Sequence, residues 1–235
     1  MIMPHGWTHW SITPVITVAW LVIGTPCYAQ VPERSPESLQ QALQQRNALV
    51  FDFSADFVET YEGGMLRARL EERGTMLMKK PGRWRFEYLE PEPKLFVSDG
   101  DRWHLYLPED RQGVTGRLPD EREAATSYLF LAGAGDLVSD FTAAFVTVRD
   151  PPPNSYVLRL TPTRTERDFE FLILVIDART LTIRRLISHD LQGGILTYFL
   201  TNLEENLGLS DTPFTFEFPS GTDVNDDSSL SDTLR

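Results

Sequence analysis

The chain predicts a mainly β protein, one long curved antiparallel sheet with helices covering its open side. Three observations carry this. Short runs of period-two alternation recur along most of the sequence, Gly and Pro turns separate them, and only a few stretches show helical spacing. About a dozen sequential strands joined by hairpins must curl or close to hide their edges. A helix with an apolar face has to bury it, and the open side of a curved sheet is the economical place.

The elements follow in order. Ser35-Pro36-Glu37 has an N-cap, a proline at the first helical position and an acid at the positive end of the helix dipole, so a helix runs from Pro36 to about Asn47. From Val50 the period becomes two: Phe51, Phe53, Ala55 and Phe57 alternate with Asp52, Ser54 and Asp56, which predicts a half-buried strand. After Gly63-Gly64, strands are expected near 66–70, 74–79, 84–88, 95–98, 103–107 and 113–117. Pro81-Gly82, Pro91-Glu92-Pro93 and Asp99-Gly100 supply turns between them. A helix is expected at 121–131, ended by Gly133-Ala134-Gly135, with a short helix or turn at 136–138. Strands resume at 143–149, 156–160, 169–176, 181–189 and 195–203. The alternating Phe214-Thr215-Phe216-Glu217-Phe218 reads as the last of them.

The ends differ in character. Residues 1–29 contain no Asp, Glu, Lys or Arg. Their apolar run from Val15 to Ile23, followed by Cys27-Tyr28-Ala29, reads as a secretory signal peptide cut after Ala29. The single cysteine, Cys27, lies inside it, so the exported chain relies on its core without disulfides. Residues 30–222 read as one domain, and 223–235 as an acidic, disordered tail.

Charge and chemistry narrow the function. With 34 acidic against 22 basic residues and a net charge of −12, the chain is ill suited to nucleic acid. His104 lies near Ser98, Asp99 and Asp101, but no nucleophile elbow accompanies it, and side chains of one hairpin rarely form a triad. No cysteine or histidine pair stands at metal-ligand spacing. Trp84, Phe86 and Tyr88 share one strand face while Arg83, Arg85 and Glu87 share the other. The aromatic face suits ordinary core packing or the wall of a lipid pocket. Likewise, the basic cluster Lys79, Lys80, Arg83 and Arg85 suits a solvated turn or a polar anchor at a pocket mouth.

Three segments bring in a resemblance. They are Gly74-x-Met76-x-Met78-Lys79-Lys80-Pro81-Gly82-Arg83-Trp84-Arg85-Phe86-Glu87-Tyr88, then Val97-Ser98-Asp99-Gly100 with Trp103 and Tyr106, and Phe214-x-Phe216-x-Phe218-Pro219-x-Gly221-x-Asp223-Val224. In order and spacing the chain resembles the periplasmic outer-membrane lipoprotein carrier (LolA-like) family. The resemblance implies an incomplete, strongly curved antiparallel β-barrel with helices covering the open side. It implies a monomeric, non-enzymatic carrier without cofactor. Such a carrier takes acylated lipoproteins from an inner-membrane lipoprotein-releasing ABC transporter, shields their acyl chains in an apolar cavity across the periplasm of a Gram-negative bacterium, and delivers them to an outer-membrane lipoprotein receptor. The expected acyl- and lipoprotein-binding residues are Lys80, Trp84, Phe86, Tyr88, Phe53 and Trp103. Where the family has Arg before its proline, this chain has Lys80, which keeps the charge but loses the planar fork. Two other readings use the same fold: a membrane-anchored receptor, which would need an acylated Cys27 and is opposed by Pro26, and an envelope sensor that binds lipoproteins or a partner without transporting anything.

Overall fold

The computed structural model describes residues 34–63, 69–118, 136–165 and 169–226. The expected signal peptide and the helix expected at 121–131 lie outside these residues. Helix α1 spans Pro36–Ala48, and the Ser35 hydroxyl accepts the Ser38 N–H at 3.1 Å, as its N-cap position requires. A short helix, α2, covers Leu137–Asp140 behind the Asp136 cap.

Among the described residues twelve strands form one open sheet. They are β1 Asp52–Glu62, β2 Arg69–Lys79, β3 Arg83–Glu90, β4 Lys94–Asp99, β5 Arg102–Leu107, β6 Gln112–Arg117, β7 Phe141–Phe145, β8 Ser155–Pro162, β9 Phe171–Asp177, β10 Ile183–His189, β11 Ile195–Glu205 and β12 Asp223–Asp226. Their order across the sheet is β12-β6-β5-β4-β3-β2-β1-β11-β10-β9-β8-β7. Hairpins build each wing, and the pairing of β1 with β11 joins the first wing to the second. Phe57, Met76 and Phe86 from one wing share a single buried cluster with Leu158, Leu172 and Leu186 from the other. Strands so far apart in the sheet can share one cluster only if the sheet curls around it. The mainly β fold with a curled, open sheet is therefore as the sequence predicts.

Four local expectations are corrected. Strands expected separately near 66–70 and 74–79 are one strand from Arg69: the charged run Glu71-Glu72-Arg73 interrupts the apolar pattern but not the backbone ladder. Gly74 lies within it at a bulge against β3, where a Cβ would overlap the Glu87 carbonyl and come within 2.8 Å of the Phe57 ring. Phe51, expected in the half-buried face, precedes β1 and is 65 % exposed.

The third and fourth corrections concern the C-terminal end. Phe214–Phe218 is not a strand. Thr212–Phe214 forms a 3-10 turn, and the chain then runs as a strap over the convex side of β3–β6. Phe214 is fully buried, while Phe216 and Phe218 pack their rings on His104 and Tyr106 at 5.5–6.2 Å. The alternation was a true sign of one-sided burial, and the buried side here faces the back of a sheet. Asp223–Asp226, expected in the disordered tail, forms β12 and pairs with β6 in parallel, so the sheet is not wholly antiparallel. Edge pairing needs only backbone groups, and Arg102 adds a 3.2 Å contact to Asp226.

The basic cluster holds this strap. Lys79 donates to the Leu209 carbonyl (2.7 Å) and to Asp211 (2.5 Å), Arg83 lies 3.7 Å from Asp211, and Arg85 donates to the Pro213 carbonyl at 3.1 Å. The Lys79 hydrogen bond lowers the Asp211 carboxyl below its ordinary range. At the strap's start, the buried Asp52 carboxylate accepts the backbone N–H groups of Leu207 (2.6 Å) and Leu209 (3.1 Å).

Two predictions follow from the strap. Phe214→Ala removes a fully buried ring and is expected to cost about 3–5 kcal/mol in urea denaturation, with an unchanged m-value. Burial beneath Phe216 and Phe218 lowers the His104 pKa from 6.5, against the pull of the Asp99 carboxylate and with the help of Arg102. The folded state thus favours the neutral ring. Stability should be full above pH 6.5 and fall as the pH drops from there through the lowered value. His104→Phe should flatten part of that slope, while the part that belongs to His189, which burial also lowers, should stay. Midpoints measured from pH 8 to pH 5 check this.

Candidate binding face

The candidate site is the concave side of β1–β5, and the strand registers build it in rungs. Phe53 stands opposite Met78, Met78 opposite Trp84, Trp84 opposite Ser98 and Ser98 opposite Trp103. The next rung is Ala55, Met76, Phe86, Phe96 and Leu105, and the third is Phe57, Gly74, Tyr88 and Lys94. Every member of the first two rungs except Ser98 is apolar. The rings form a continuous network. Phe57 meets Tyr88, Phe86 and Tyr198 edge-on at 5.0–6.0 Å, Trp84 meets Phe86 (6.1 Å) and Phe96 (4.1 Å), and Phe96 meets Trp103 at 5.9 Å. Edge-on contacts of this kind favour a fixed arrangement beyond simple area burial.

Five of the six residues singled out from the sequence belong to this face. Trp84, Phe86, Tyr88 and Trp103 are buried members of the core cluster, and Phe53 packs against it. Lys80 stands apart, just beyond the end of β2. Its ammonium donates to the Asn47 backbone carbonyl at 2.5 Å, at the C-terminal end of α1, and lies 3.5 Å from the Asn47 side-chain oxygen. A cation there satisfies a terminal helix carbonyl and complements the helix dipole. Partial burial lowers the Lys80 pKa from its ordinary value. Lys80 also lines a small cleft with Asn47, Val50, Phe51, Phe53 and Met78.

Helix α1 is pinned along its whole length. Leu39 and Leu43 enter the core cluster. The Gln40 amide donates to the carbonyls of Leu137 (2.5 Å) and Phe141 (2.8 Å), and Gln44 accepts the Leu137 N–H at 2.9 Å. Arg46 forms a 2.7 Å ion pair with Glu205 and bonds Thr180 and Thr182 in the β9–β10 turn. That turn is itself held by Asp177, whose carboxylate accepts the N–H groups of Thr180 and Arg179 and is thereby lowered to about 2. The helix therefore runs from α2 and the β7 edge to the β2–β3 turn, tied by polar side chains at both ends.

The arrangement does not favour catalysis by the residues considered first. Ser98 faces the concave side, donating to the Gly82 carbonyl and accepting the Gly100 N–H. His104 faces the convex side, under the strap. They lie on opposite faces of the sheet. Gly82 and Gly100 take positive φ in the two turns that Ser98 bridges, which explains both glycines. Among the described residues no three of His, Cys, Asp and Glu gather as a metal site would require.

Lys94 of the third rung and the next pair along, Glu59 opposite Glu72, escaped the sequence reading. Glu59, Glu72 and Lys94 lie on the concave side. Glu59 was within reach, since it continues the series Phe53, Ala55, Phe57.

Residues 49–217 match the family model described as "Outer membrane lipoprotein carrier protein LolA". The chain belongs to the LolA family. A relative named outer-membrane lipoprotein carrier protein, from Chromohalobacter salexigens, is 30% identical over 203 residues, covering 86% of this chain and 91% of the relative. One of the same name from Methylococcus capsulatus is 27% identical, covering 85% and 92%. Among solved structures, a LolA superfamily protein from Nitrosomonas europaea aligns with a TM-score of 0.43 and 13% identity over 78% of this chain and 99% of that one. The Pseudomonas aeruginosa MucA/MucB complex aligns at 0.46 and 15% identity over 77% and 61%.

For this LolA family member, the Lys80 tether gives a direct prediction. Lys80→Met should loosen the end of α1 by about 1 kcal/mol, the worth of a part-exposed charged hydrogen bond. Hydrogen exchange at the last amides of α1 should then quicken about fivefold, with β3 amides unchanged.

Proposed function

We propose that the protein is a periplasmic carrier for acylated lipoproteins, holding their acyl chains against the concave face. The observation that carries this is the composition of that face. Two successive rungs across five strands are apolar, save Ser98, and are floored by Trp84, Phe86, Phe96 and Trp103. Leaving each methylene of an acyl chain in water costs about 0.8 kcal/mol, so an aqueous crossing needs a sheath. A one-sided sheet with a tethered helix can supply one. The names of its LolA-family relatives support the same reading.

On this reading Trp84, Phe86, Tyr88, Phe53 and Trp103 line the acyl site. Lys80 acts at its margin by holding α1 and does not touch the chain. In the free protein Trp84 is 6 % exposed and Phe86 3 %. Cargo must therefore displace what covers the floor, and release of the Lys80 and Arg46 tethers is the natural first step. The work of loading comes from an inner-membrane ABC transporter and unloading from an outer-membrane receptor. The carrier itself is a monomer that needs no cofactor and catalyses no reaction.

The test is transfer. Purified protein, added to spheroplasts that contain the lipoprotein-releasing transporter, should bring an acylated lipoprotein into the soluble fraction. Trp84→Leu, which keeps the position apolar, should lower the yield about tenfold, as expected for a loss of about 1.4 kcal/mol in cargo affinity, with the parent's circular dichroism spectrum. Failure of the parent protein to release any lipoprotein would overturn the carrier reading. Capture of a protein partner without release would favour a non-transporting sensor.

A further inference from the structure

The concave face changes character abruptly beyond Phe57. Glu59 of β1 stands directly opposite Glu72 of β2, two carboxylates side by side on a partly buried surface. Such a pair is repulsive unless each acid has its own donor. Here each does. The Tyr88 hydroxyl donates to Glu59 at 2.8 Å, and the Lys94 ammonium donates to both Glu72 oxygens at 2.7 Å. Lys94 also lies 4.0 Å from the centre of the Tyr88 ring, which binds the two halves together. The result is a polar belt across three neighbouring strands and the start of a fourth, spread over the rung of Phe57 and the pair beyond it.

Packing alone gives no reason for this belt. The Lys94 and Glu72 side chains are only 27 % and 21 % exposed. Ion pairs at such depth are often no more stabilising than apolar side chains of similar size. The belt does offer a defined chemistry. Lys94, with two of its three N–H groups on Glu72, keeps one for an ester carbonyl or carboxylate oxygen, and Glu59 and Glu72 keep lone pairs for amide N–H groups. From Glu59 down to Phe53 the strand runs about 20 Å, the length of an extended long-chain acyl group.

We propose that this belt is the head-group subsite of the acyl site: the polar head of a bound acyl group lies at Glu59, Glu72, Tyr88 and Lys94, and its methyl end lies on the Trp84 rung. The inference rests on the carrier reading and adds a direction to it. The reverse orientation would press a methyl group against a partly buried ion pair and leave the head's oxygens on two rungs that carry no cation.

Photolabelling the full chain decides the direction. Palmitate carrying a diazirine beside its methyl end should label peptides around Met78, Trp84 and Phe96. Palmitate carrying it beside the carboxyl should label Glu59, Glu72 or Lys94. Alkyl diazirines favour carboxylates, so the methyl-end probe, whose labels must fall on apolar side chains against that bias, is the deciding arm. The reversed pattern, or the same pattern from both probes, would overturn the direction and leave the carrier reading standing. If neither probe labels the concave face, the acyl site itself fails, and the head-group subsite with it. As a second measurement, Lys94→Met should weaken palmitate binding about tenfold but leave hexadecane binding unchanged. Equal loss for both ligands would point to damage of the floor and overturn the assignment of Lys94 to the head.

Discussion

Everything in this protein depends on burying one face of an open sheet that never closes. A closed barrel hides its inner side chains by filling its interior, and a sandwich hides them against a second sheet. Here a twelve-stranded sheet presents Phe57, Phe86, Trp84 and Trp103 on one side, and its two edges, β12 and β7, remain unjoined. Curling brings the two wings into a single cluster, and helix α1 adds Leu39 and Leu43 to it. A filled interior would be stable but could admit nothing. An uncovered one would expose aromatic surface to water. A face covered by a helix that is tied at its margins by Arg46, Gln44 and Lys80 lies between these limits, because part-exposed polar tethers can be exchanged for water at less cost than an interdigitated core can be opened.

The charges are arranged to serve that division. Four bases lie within seven residues around the β2–β3 turn, yet they do different work. Lys79, Arg83 and Arg85 point to the convex side and hold the C-terminal strap through Asp211 and two backbone carbonyls, while Lys80 alone reaches α1. The strap seals the back of β3–β6 with Phe214, Phe216 and Phe218, so these strands are covered on both faces. A rigid back makes the concave side the face that can change.

Much of this was legible in the sequence, and the failures are instructive. The N-cap at Ser35, the alternation through Trp84-Arg85-Phe86-Glu87-Tyr88 and the turns at Gly82 and Gly100 each report a local physical requirement, and each is met where it was expected. The alternation at Phe214–Phe218 reports only that one side of an extended chain is buried; it does not say that the backbone has strand partners. The polar tract at Asp223–Asp226 forms a strand although none of its side chains is buried, because an edge ladder is held by backbone bonds. The partner of Lys80 was not readable at all. Asn47 lies 33 positions earlier, and only the register of β1 on β2 brings the end of α1 to the β2–β3 turn.

On the carrier reading, the concave floor recognises acyl chains rather than a peptide. Titrating a synthetic acylated lipopeptide and the same peptide without its acyl chains, while following the emission of Trp84 and Trp103 as the difference from a Trp84→Phe/Trp103→Phe double variant, tests it most directly. The acylated peptide should shift and saturate that emission, and the bare peptide should leave it unchanged. Equal responses to both, or a response to the bare peptide alone, would contradict that reading.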